Sequence, residues 1–153
     1  MSIHTATIAW TRGEAVFSDG RYSRVHAIGF DGGETLTGSP SPEVVRPPLS
    51  DPKGTDPEEL FVAAISSCHM LFFLAFAKKA GFVVDSYADA AEGTLAKDED
   101  GVERMVEVRL RPRIMFSGEN VPGAADLDLL HHQAHQACYI GQSVKCPVRV
   151  VAP

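Results

Sequence analysis

The sequence predicts an α+β fold in which antiparallel sheets surround one long central helix. Strand-like runs flank a long apolar helical segment in the order strands, helix, strands, helix, strand. Residues 103–116 alternate between apolar and charged side chains, the period of a half-buried strand. The chain has 153 residues, 44% of them hydrophobic, which suffices for one two-layer core. Residues 1–153 are therefore expected to form a single domain.

Residues 3–10, 15–18 and 22–30 read as strands, with Asp19-Gly20 as a hairpin turn between the last two. Residues 31–56 are crowded with Gly, Pro, Ser and Asp and read as one long loop. A loop of that length in a compact domain is usually functional or pinned by a partner.

The best-marked element follows. Asp56 caps a helix, Pro57 suits its first position, and Glu59 completes a capping box. Glu58 and Glu59 complement the helix dipole, Lys78 and Lys79 occupy the last turn, and Gly81 provides the stop. Phe61, Ile65, Cys68, Phe72 and Phe76 form one stripe, and Leu60, Ala64, Leu71 and Leu74 widen it until the helix is apolar on most sides. Such a helix is expected inside the molecule. Ser66, Ser67, Cys68 and His69 interrupt residues 60–77, which makes them a poor membrane span.

Residues 87–96 and 103–116 read as an antiparallel pair, turning at residues 98–101. Val106, Val108, Leu110, Ile114 and Phe116 point one way, while Glu107, Arg109, Arg111 and Arg113 point the other. A second helix is expected over 126–138, and a last strand from Val144 to Val150.

Charge narrows the function. Fourteen Lys and Arg against 20 Asp and Glu leave a net charge of -6. That balance argues against nucleic-acid backbones and against polybasic docking on membranes, so neither is an expected partner. The start, MSIHTATIAWTR, has neither the basic residues nor the apolar run of a signal peptide, and a cytoplasmic location is expected.

Three widely spaced cysteines, Cys68, Cys138 and Cys146, with no CxxC pair, are not a disulfide framework. Alone, Cys68 reads as core filler on an apolar helix, since burial raises a thiol's pKa. Reactivity requires a cation. Lowering a thiol pKa from about 8.5 to about 6 takes about 3.4 kcal/mol, and one guanidinium at about 4 Å supplies roughly that at an effective dielectric near 20. Arg12, Arg21, Arg24 and Arg46 are candidates. Cys138 ends the second helix, where a resolving thiol could move without breaking a ladder, while Cys146 alternates with valines and reads as core. His131 and His135 share a helix face, but HHQAH is polar throughout and reads as solvated. A Cys68, His69, His135, Cys138 metal site is a remote alternative.

Two segments taken together carry a resemblance. DPEELFVAAISSCHMLFFLAFAKKAGF resembles the signature helix of the OsmC/Ohr family, the osmotically induced and organic hydroperoxide resistance proteins, and AHQACYIGQSVKCPVRV resembles the segment with that family's second Cys. The resemblance covers nearly the whole chain. It implies a thiol peroxidase without cofactor or metal, acting on organic hydroperoxides and reset by a dithiol reductant of lipoyl type. Cys68 matches the peroxidatic position, Cys138 the resolving one, and Glu58 the acidic partner of a catalytic Arg. Arg12 is the best match for that Arg, with Arg24 the alternative. WTRGEA departs from the family's Gly-rich context there, and Tyr139-Ile140 replaces a Pro-containing sequence after the second Cys. The family's intertwined homodimer is also implied. Glu58 and Cys68 lie ten residues apart, about 15 Å along one helix, so a partner's Glu58 could complete the site. Two other functions remain open: a non-catalytic module for a small hydrophobic ligand, and a metal-binding or redox-sensing protein.

Overall fold

A computed structural model describes residues 1–151, and the chain divides at Leu60 into two units. In the first, β1 (Ala6–Ala9), β2 (His26–Phe30) and β3 (Thr35–Gly38) form an antiparallel meander. Ala6 faces Phe30 across β1 and β2, and His26 faces Gly38 across β2 and β3. Residues 15–18 are not a strand. Their Phe17 stacks on Tyr22 at 4.7 Å, Trp10 meets Tyr22 edge-on at 5.4 Å, and the Trp10 indole donates to the Ser23 carbonyl at 2.8 Å. Aromatic packing, rather than a ladder, thus holds the connection between β1 and β2. The turn at Asp19-Gly20 does form, with Gly20 at φ +73°.

The expected loop over 31–56 contains β3, because Gly33 at φ +90° reverses the chain and its N–H donates to the Phe30 carbonyl. Four residues beside three glycines gave too short a pattern to read as a strand. Beyond Gly38 the chain is pinned by Ser39, which is fully buried. Its hydroxyl accepts from the Asp51 N–H at 2.9 Å, and its N–H donates to the Thr55 carbonyl at 3.1 Å. Gly54 passes so close that a Cβ there would lie 2.6 Å from the Ser39 Cβ.

Helix α1 (Pro57–Lys79) starts and stops where its caps predict. Glu59 N–H donates to the Asp56 carboxylate at 2.7 Å, and Asp56 N–H to the Glu59 carboxylate at 3.0 Å. At the other end Gly81 takes φ +82° and Phe82 N–H donates back to the Ala77 carbonyl. The covered stripe is Ile65, His69, Phe73 and Ala77, spaced by four. This differs from the expected stripe, of which only Ile65 is buried. With aromatics on every side, periodicity could not select the inward face. Length and apolar character would let α1 cross a bilayer, but its covered stripe packs on the second unit's own side chains. The opposite face, with Ala64, Ser67, Leu71 and Ala75, is exposed.

The second unit adds β4 (Val83–Asp89), β5 (Glu92–Lys97), β6 (Glu103–Leu110), β7 (Pro112–Ser117), α2 (Ala124–Ala137), α3 (Tyr139–Ser143) and β8 (Val148–Val150). The expected pair of long strands is a bent hairpin, β4 pairing β7 and β5 pairing β6. The bend sits at Asp89, whose carboxylate accepts the Arg111 N–H at 2.6 Å, next to Pro112, which has no N–H to give. It divides the alternating stripe between two cores. Val108 and Leu110 pack with Ile65, whereas Ile114 and Phe116 pack against Phe73, Ala77, Leu130 and Ala134. The last strand is shorter than expected and pairs parallel to β6, following a helical turn at Tyr139–Ser143.

Candidate active site

Cys68 is half-buried on α1, and Cys138, 1% exposed, closes α2 and caps α3. The fold places these two thiols near enough for Cys68 to perturb Cys138, and both are free. The Cys138 sulfur also accepts the Gly141 N–H at 3.2 Å. Burial, and next the Cys68 thiol beside it, push Cys138 up to about 11, and the Gly141 N–H does not offset them. At neutral pH Cys138 is a protonated thiol. Cys146 packs with Ile65, Val108 and Leu110, and burial raises its pKa as expected of a core thiol.

A pocket of about 410 Å³ opens beside Cys68, lined by Ala64, Ser67, Leu71, Phe72, Ala75 and Tyr139. Tyr139 stands edge-on to Phe72 at 5.0 Å. Its place in the pocket was not foreseen, although adjacency to Cys138 was the available signal. None of the lining residues is cationic, so a guanidinium that ionises Cys68 has to come from outside this set.

The candidate cations belong to the first unit. Arg12 is exposed and donates to the Ala15 carbonyl. Arg24 is more fixed: it donates to the carbonyls of Tyr22 at 3.0 Å and Gly20 at 3.4 Å, with its guanidinium 4.5 Å from the Tyr22 ring centre. Glu58 is half-buried in the first turn of α1. Among the described residues, neither Glu58 nor Arg12 makes an ion pair within the chain.

The histidines depart from expectation. His131 does not lie on a wholly solvated face: its Nδ1 is 3.0 Å from Nε2 of His69, which is 1% exposed. Burial, then His131 and His135 nearby, lower His69 to about 4. His69 points to the covered stripe and Cys68 does not, and no cluster of three or more His, Cys, Asp or Glu suited to a metal occurs among the described residues.

Residues 50–152 match the family described as OsmC-like protein. An OsmC-like protein of unknown function from Vibrio cholerae is 45% identical, each chain fully covered, with a TM-score of 0.97. The organic hydroperoxide resistance protein OhrB of Bacillus subtilis shares the fold at 18% identity and a TM-score of 0.68, covering 99% of this chain and 98% of its own. An organic hydroperoxide resistance protein OsmC from Legionella pneumophila does so at 16% identity and 0.69, covering 99% and 96%. No protein of curated function matches.

Proposed function

The chain belongs to the family of OsmC-like proteins, and on that footing we propose that it is a thiol peroxidase for organic hydroperoxides. The observation that carries this reading is the apolar pocket that opens on Cys68, with Cys138, seventy residues away in sequence, folded nearby. A core-filling pair of thiols has no need of such an opening.

The Cys68 thiolate attacks the distal peroxide oxygen. A sulfur–oxygen bond forms, the oxygen–oxygen bond breaks, and the leaving alkoxide takes a proton to become an alcohol. Cys138 then attacks the resulting sulfenic acid, forming the disulfide and releasing water. A dithiol of lipoyl type restores both thiols and is itself oxidised to a disulfide. In the homodimer, Arg12, with Glu58 as its acidic partner, would stabilise the thiolate and the departing alkoxide, with Arg24 as the alternative. The aliphatic and aromatic lining favours alkyl hydroperoxides over hydrogen peroxide. Reversible thiol chemistry of this kind fits the cytoplasm, a reducing compartment.

A homodimer with its sites at the interface completes the reading. The open face of α1 supports it, with Leu71 60% exposed, as do exposed Ile8 and Phe17 in the first unit. Adding one equivalent of cumene hydroperoxide to the reduced protein, then mapping disulfides by mass spectrometry, tests the reaction. A Cys68–Cys138 bridge is expected. Unchanged thiols would reject the enzyme in favour of a binding module, and stoichiometric zinc in purified protein would favour a metal-binding sensor.

A further inference from the structure

A larger pocket, of about 790 Å³, shares no lining residue with the one at Cys68. Its apolar wall is built by Ile114 and Phe116 of β7, Leu127 of α2, and Val148 and Val150 of β8. Its polar groups are Arg113, Asp128, His131, His132 and His135. The size is that of a small-molecule site, with few polar groups against an apolar wall.

The buried histidine determines what His131 offers there. His69 Nδ1 is buried without a hydrogen-bond partner. If it carried the proton, a buried N–H would be left unmet, which is rarer and costlier than an unmet acceptor. The His69 proton therefore sits on Nε2 and is donated to His131 Nδ1 across 3.0 Å. His131 is then protonated on Nε2, the nitrogen left to the pocket. Burial lowers His131 too, against the opposing pull of Asp128 and Asp89, so at neutral pH it is an uncharged donor. Arg113 supplies the charge, since no carboxylate among the described residues pairs with it. Asp128 opposes an anion, but it is exposed and solvent screens it.

We propose that this pocket binds an amphipathic carboxylate, its apolar chain lying along β7, α2 and β8 and its head accepting from Arg113 and from His131 Nε2. The site is independent of the peroxidase reading. Calorimetric titration of the full chain, with Cys68 blocked by N-ethylmaleimide, tests it with decanoate and the neutral decanol. One decanoate per chain is expected, bound at least about tenfold more tightly than decanol, the scale of one charge-assisted hydrogen bond. Arg113→Gln, at an exposed residue, erases that preference, and Leu127→Trp, which fills the pocket, weakens both ligands. Equal affinity for the two, no binding, or binding unmoved by either variant would overturn the proposal.

Discussion

Cys138 is held as a thiol by its surroundings, and in the proposed reaction that sets the order of events at the two sulfurs. With burial pushing it up to about 11, Cys138 is a poor nucleophile toward peroxide near neutrality. Cys68→Ser is expected to abolish peroxide consumption. Cys138→Ser should leave a first turnover intact and accumulate a sulfenic acid that dimedone traps. In the unaltered protein the bridge should form faster as pH rises from 7 to 9, read by the loss of free thiols after a single peroxide pulse. His69 gives a second pH signature. Its ordinary pKa of 6.5 falls to about 4 in the fold. Above 6.5 the ring is neutral in both states. Between 6.5 and 4 the unfolded chain binds a proton that the folded chain does not, so stability declines as pH falls, by at most about 3 kcal/mol. Urea unfolding at a series of pH values checks this, and His69→Leu should flatten the slope. Neither effect could be read from sequence. SSCHM marks a thiol and an imidazole side by side, but not that the imidazole is the one turned inward.

At the scale of the elements, capping chemistry is the most legible signal and bends are the least. Both ends of α1 were set by Asp56, Pro57, Glu59 and Gly81, local signals that need no tertiary context. Asp56→Ala is expected to lower stability by about 1 kcal/mol, measured by denaturant unfolding. The break in the long hairpin was hidden because it depends on a contact at a distance. Asp89 accepts from the Arg111 N–H and from the Ser66 hydroxyl of α1, tying the bend to the helix. Asp89→Ala removes the acceptor for both and should cost about 2–4 kcal/mol in the same assay. Gly54→Ala would drive a methyl group into Ser39 and lower stability by about 1–3 kcal/mol.

For the molecule as a whole, the α+β class and the order of the main elements were legible because alternation and helical period survive in the sequence. The path of residues 10–24 and the parallel β8 were not, since aromatic packing decided the first and pairing with the distant β6 the second. Of the site, Cys68 and Cys138 were legible as thiols on two helices, while Tyr139 beside Cys68 and the His69–His131 contact emerge only from folding. The exposed apolar face of α1 predicts a dimer by light scattering at micromolar concentration, and charge placed at Leu71 (Leu71→Glu) should shift it to monomer.

The neighbouring sulfurs also bear on heat tolerance. Once joined, they would crosslink the middle of the longest helix to the junction of α2 and α3, closing a ring of about seventy residues and removing roughly 4 kcal/mol of freedom from the denatured chain. Peroxide-treated protein should therefore melt at a higher temperature than the dithiol-treated form, so that calorimetry alone would report its oxidation state.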